Sequence, residues 1–220
     1  MTRVIELESI AMRYSFKIPT ILSLMSLILL VVTPVQAQRS APCSNENQEQ
    51  PSQARREITN REYGLRFEIP ANYRTELRRE TDSRQRLSIF VRNPTDVAFL
   101  DCAIRNRMIG AGHQVSDVIV TIEPRPRHIR NVRDILRDAA ESGGISRDII
   151  DPNFITISGQ DAVIYTVQTT YPDRSKNARL IHPNGQDIIT IWAGDYGEDI
   201  DPIDLEVMDV IISSFRIDRN

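Results

Sequence analysis

VIVTIEPRPRHIRNVRDILRDAAES, residues 118–142, changes its period part-way along, and that change decides the fold class. Val118, Val120 and Ile122 alternate with Ile119 and Thr121, the pattern of a strand with one buried face, and Pro124 and Pro126 end it. From Asn131 onward Val132, Ile135, Leu136, Ala139 and Ala140 recur at helical spacing, forming one apolar stripe. Asn131 is placed to cap the start of this helix and Gly143 its end. Both periods within one domain length predict an α+β fold, a central antiparallel β-sheet flanked by helices.

Period two continues on both sides. Tyr63, Leu65, Phe67 and Ile69 alternate up to Pro70, and Leu87, Ile89 and Val91 alternate up to Asn93-Pro94. Between residues 97 and 105, Leu100, Cys102 and Ile104 share one side, so this segment reads as a further strand with Cys102 facing inward. Residues 154–157 and 162–169 form a strand pair across Ser158-Gly159-Gln160-Asp161. Residues 178–182 and 187–193 flank Pro183-Asn184-Gly185, where Asn-Gly supplies the positive φ angles of a tight hairpin. A last helix starts with Asp201 as cap and Pro202 at its first position, and Leu205, Met208, Ile212 and Phe215 run along it.

The N-terminus reads as an address. Ile18 to Val32 is an apolar run of fifteen residues behind Arg13 and Lys17, and Val35-Gln36-Ala37 follows as a small-residue cleavage site. Residues 1–37 are therefore expected to be a Sec signal peptide, with translation starting at Met1 or Met12; an uncleaved anchor helix is the other reading, on a run shorter than the roughly 20 residues a span needs. The exported chain would occupy a periplasm, a thylakoid lumen or the extracellular space. Residues 38–57 hold almost no large apolar side chain and read as a flexible polar leader, and 58–220 as a single domain. Two cysteines remain after cleavage, Cys43 and Cys102, which in an oxidising compartment can pair. Two alternatives stay open: lipid modification of Cys43, or a free Cys43 thiol with Cys102 buried.

Charge is uneven. The chain carries −3 overall, but residues 38–137 carry +5 and residues 138–220 carry −9, and arginine outnumbers lysine 25 to 2. An acidic exported chain without a basic aromatic stripe excludes nucleic acid as partner. Arg74, Arg78, Arg79, Arg84 and Arg86 fall in the loop expected between the first two strands and form the candidate docking element, balanced there by Glu76, Glu80 and Asp82.

No catalytic template is present: there is no G-x-S-x-G, no Walker loop and no H-E-x-x-H, and His113, His128 and His182 are scattered. No catalytic residue, cofactor or metal ligand set is assigned, and the chain reads as non-enzymatic. The densest acids lie in GDYGEDIDPID, residues 194–204. Asp201 and Asp204 there are explained by the helix they begin. Asp195, Glu198 and Asp199 read as solvated loop acids; the alternative is a soluble periplasmic carrier or cation-binding protein using residues 195–204, with His182 and Asp187 as co-ligands.

The segments YGLRFEIPANYR, FITISGQDAVIYTV, QDIITIWAG and VIISSFRI, in this order of strands and helices, resemble the PsbP family over about Arg61 to Ile217, with Tyr73 where family members often carry Trp. That family comprises extrinsic proteins of the photosystem II oxygen-evolving complex and bacterial relatives. The resemblance implies an α/β/α sandwich. It also implies an exported accessory protein, monomeric when free, that docks on a membrane-associated protein complex, a photosystem being the family's example.

Overall fold

The computed structural model describes residues 43–79, 87–108, 110, 115–141, 147–169, 173–195 and 199–218. The apolar run 18–32 and its cleavage site, Arg84, Arg86, His113, Gly143 and Glu198 lie outside them. The elements run β1 (Arg55–Asn60), β2 (Leu65–Pro70), β3 (Arg74–Arg78), β4 (Leu87–Arg92), α1 (Pro94–Arg105), β5 (Asp117–Pro124), α2 (Val132–Glu141), β6 (Arg147–Ile157), β7 (Gln160–Thr169), β8 (Arg174–Ile181), β9 (Asp187–Asp195), α3 (Pro202–Ser214) and β10 (Arg216–Ile217). The fold is α+β. A seven-stranded sheet has the order β3-β4-β5-β9-β8-β7-β6 and a three-stranded sheet the order β1-β2-β10, with antiparallel pairing throughout.

Alternation sets the two faces of the large sheet. Leu87, Ile89 and Val91 of β4, Val118, Val120 and Ile122 of β5, and Ile189, Ile191 and Ala193 of β9 point to one face. They meet Leu65, Phe67 and Ile69 of β2 and the stripe Val207, Met208, Ile211 and Phe215 at and after α3, all buried. Phe67 and Phe215 stack with centroids 5.7 Å apart. Each of these side chains except Ala193 contributes about 1.5–3 kcal/mol by leaving water, so this layer holds the domain together. On the opposite face α2 covers one end, with Ile135 and Ala139 packed among Ile129, Val163, Tyr165 and Ile188.

The local signals act as expected at several points. The Asn131 side chain accepts from the backbone N–H groups of Arg133 and Asp134 at 2.9 and 3.2 Å, opening α2. Asp201 accepts from Ile203 N at 2.8 Å and Pro202 occupies the first turn of α3. Gly185 takes φ +70° in the β8–β9 hairpin.

Four expectations are corrected. Residues 97–105 form a helix, not a strand: Asn93 accepts from Thr95 N at 2.9 Å as a cap, Pro94 takes the first turn and Asp96 sits near its positive end. Cys102 consequently does not face the sheet core, and Ile104 is 74% exposed. Arg74 and Arg78 do not lie in a loop but on β3, which pairs with β4 from Arg74↔Arg92 to Arg78↔Ser88. The polar segment up to residue 57 is not free from Cys43 onward. Cys43 is joined to Cys102 with Cα atoms 5.8 Å apart, Asn45 donates to Asp96 at 2.9 Å, Glu49 N donates to Thr95 Oγ1 at 3.0 Å, and β1 already starts at Arg55. Its polar side chains order by bonding to other polar groups rather than by burying apolar surface.

Candidate functional site

Among the described residues, the second face of the large sheet is left open between α1 and α2. Register places one row of side chains straight across it: Glu76 opposite Phe90, Phe90 opposite Ile119, Ile119 opposite Trp192, Trp192 opposite Asn177 and Asn177 opposite Tyr165. Asp117, Gly194 and Ser175 form part of the row on one side, Ser88, Thr121, Thr190 and Arg179 that on the other. Two concavities open on this face, about 630 Å³ beside α1 and about 510 Å³ beside α2, and Ile119 and Trp192 line both.

The α1 side is organised around Arg92. Its Nε donates to Asp117 Oδ1 at 2.7 Å, Nη2 to Asp117 Oδ2 at 3.0 Å and Nη1 to Glu76, whose other oxygen accepts from Arg78 Nε at 2.6 Å. The guanidinium carbons of Arg78 and Arg92 stand 4.6 and 4.9 Å from the Phe90 ring centroid, so both arginines use the ring as a cation–π surface. Burial pushes the Asp117 carboxyl above its ordinary value, with the Arg92 bonds opposing it, while the hydrogen bond from Arg78 holds Glu76 below its own. Leu100 and the exposed Ile104 of α1 form the outer wall.

The α2 side carries a second network. Arg179 donates to Glu123 and, at 3.1 Å, to Thr190 Oγ1, and burial raises the Tyr165 hydroxyl pKa. Ser175, Asn177, Thr169 and Arg147 complete the lining. Among the described residues of both concavities there is no nucleophile beside a histidine base.

The remaining sequence-predicted residues lie elsewhere. Arg74 is exposed at the β3 edge without an ion pair among the described residues, and Arg79 pairs with Glu62 at 2.8 Å. Asp199 is a solvated loop acid as expected, exposed over 84% of its side chain while accepting from Arg174 Nη1 at 2.7 Å. Asp204 is 2% exposed, and burial, reinforced by the charges of Asp201, Asp96 and Asp117 and opposed by a hydrogen bond with Ser116, pushes its pKa up to about 7. His182 uses both ring nitrogens internally, Nε2 donating to the Tyr63 carbonyl at 2.9 Å and Nδ1 accepting from Asn184 N at 3.1 Å, which leaves no lone pair for a metal. Among the described residues no group of three or more His, Cys, Asp or Glu could hold a metal ion. Sequence reasoning missed the row through Phe90, Ile119 and Trp192; the period-two alternation of each strand was its signal, but strand order was needed to assemble it.

No protein-family model matches the chain, and no curated protein matches it. Among solved structures, the solution structure of cyanobacterial PsbP (CyanoP) from Synechocystis sp. PCC 6803 is similar over 81% of this chain and 99% of that chain, at 13% sequence identity and a TM-score of 0.43.

Proposed function

We propose that this protein is a non-enzymatic accessory module that docks on a protein complex at or in a membrane through the α1 half of the open sheet face. The observation that carries the reading is Phe90, held between the guanidinium groups of Arg78 and Arg92 at a 630 Å³ concavity whose outer wall is the exposed Ile104. Aromatic and arginine side chains beside exposed apolar surface are the composition of interface centres. With Arg74 and Arg79 at the edge, the surface suits a partner that presents apolar side chains ringed by acids. The apolar run 18–32 supports a compartment bounded by a membrane, and the family resemblance of the sequence supports an accessory role there.

The test is co-migration with a membrane complex on density gradients of the native host. The wild-type chain is expected to travel with one complex at low salt and to be released at high salt, because exposed charge is screened over about 10 Å in 0.1 M salt. Phe90→Ala combined with Ile104→Asp is expected to abolish co-migration while the chain still unfolds in one cooperative transition, at a melting temperature lowered by the lost arginine–ring contacts. Wild-type protein found only free at low ionic strength removes the reading.

A further inference from the structure

The α2 half of the open face has a different chemistry, and its charge balance sets it apart. Among the described residues, each arginine lining the two concavities is paired with an anion except one. Arg92 is held by Asp117 and Glu76, Arg78 by Glu76 and Arg179 by Glu123. Arg147, at the start of β6, lines the α2-side concavity and has no ion pair among the described residues. Its Nε is shut off from solvent and lacks a hydrogen-bond partner. With Nε enclosed and unpaired, the half-buried guanidinium has only its terminal nitrogens to turn to the concavity, and an anion meeting them there supplies the countercharge that the described lining lacks.

The acid that α2 adds to the lining is already engaged: Asp138 pairs with His128 Nε2 at 2.7 Å. Ser175, Asn177 and Thr169 line the floor, the Asn177 amide donating to Ser175 Oγ at 3.1 Å, and at the far wall stands Trp192, the only tryptophan of the chain. Its indole leans along its own strand over Gly194, where a side chain would collide with it. The ring therefore lies low against the sheet. A volume of about 510 Å³ matches small-molecule sites rather than a bound ion alone.

We propose that this concavity is a binding site for a small ring compound bearing a carboxylate, the carboxylate paired to the Arg147 guanidinium and the ring laid against Trp192. The planar fork of arginine takes a carboxylate through two parallel hydrogen bonds, which fixes the acid end, and the indole supplies a flat apolar surface for the other. The site goes beyond the docking surface, which lies on the α1 side of Trp192, so the two stand or fall separately.

The single indole N–H gives one cross-peak in a nitrogen–proton spectrum of the full exported chain, and titration follows that peak. Phenylacetate and galacturonate serve as probes for an aromatic and a saturated ring, with phenylacetamide as the uncharged control. At least one acid is expected to shift the peak saturably, and phenylacetamide to bind about tenfold more weakly than phenylacetate or worse, as loss of a charge-assisted hydrogen bond dictates. A response to phenylacetate alone assigns an aromatic acid, and a response to galacturonate alone a sugar acid; both support the site. Arg147→Gln is expected to remove the preference for the acid, and Phe90→Ala to leave it intact. The proposal is overturned by no shift with either acid up to about 10 mM, the weak limit of specific recognition. Equal binding of phenylacetate and phenylacetamide by the wild-type chain overturns it too, a comparison that needs no variant to fold.

Discussion

Trp192 occupies the space that a side chain at Gly194 would need: a methyl group there would lie 2.7 Å from Trp192 Cζ2, 2.9 Å from Ser175 Cβ and 3.0 Å from the Arg174 carbonyl oxygen. The indole can swing away, but the neighbouring strand cannot. Gly194→Ala is therefore expected to lower stability by about 1–3 kcal/mol, the usual cost of overpacking. It should also shift the indole emission to the red as the ring lifts from the sheet. Unchanged emission and melting temperature would show that the ring does not rest there.

The Arg92–Asp117 pair is two-pronged, with side chains 13% and 12% exposed. Removing one partner strands the other in a poorly hydrated place. Arg92→Met is expected to destabilise by roughly 3–5 kcal/mol, and adding Asp117→Asn to recover a large part of it, because the uncompensated charge is then gone. Urea unfolding of the two single variants and the double closes the cycle; additive losses would mean that the pair is not coupled.

Asp204 gives stability a slope with pH. Its folded pKa of about 7 lies above the unfolded value of about 3.9. Between these values the folded chain holds a proton the unfolded chain has released. The contribution of this group therefore falls as pH rises through that window and is lowest above it. Asp204→Asn keeps the shape of the protonated acid without the titration. The variant should match the wild type near about pH 4 and exceed it by on the order of a few kcal/mol near about pH 8. Parallel stability curves for the two proteins would refute the assignment.

The Cys43–Cys102 disulfide closes a separation of 59 residues. Chain-entropy reasoning gives about 4 kcal/mol for a loop of that size. Cys43→Ser should lower the melting temperature and make the stretch 43–54 the first site of protease attack, since its remaining ties are hydrogen bonds, among them those to Asp96, Asn93, Thr95, Asn72 and Ala71. Mass spectrometry of the early fragments reads this directly. Cleavage first within the large sheet would contradict it.

Most of the architecture was legible because one-sided strands and amphipathic helices write their own period. The strands β2, β4, β5, β7, β8 and β9 and the helices α2 and α3 all carry it. Where the apolar residues are too few, the signal fails: β1 has only Ile58 and β3 only Leu77, so both were passed over as polar connections. The helix α1 was misread for a different reason. Leu100, Cys102 and Ile104 fit period two, while Asn93-Pro94, taken as the end of a strand, is the same cap-and-proline device as Asp201-Pro202, which was read correctly. The open face was beyond reach of sequence, since Phe90, Ile119, Trp192 and Tyr165 become neighbours only through a strand order that joins distant parts of the chain.

Both rims of the seven-stranded sheet are unfit to recruit a further strand. On β3 the positions on the open face are Arg74, Glu76 and Arg78. On β6 the ladder breaks between Ile150 and Asn153, where Asp151 adopts φ +49° and Pro152 has no amide hydrogen to give. Charge on one border and a kink on the other are how natural sheets avoid templating their own fibres. A second molecule thus finds no straight ladder to extend, and copies of the chain can crowd together without their borders templating one another.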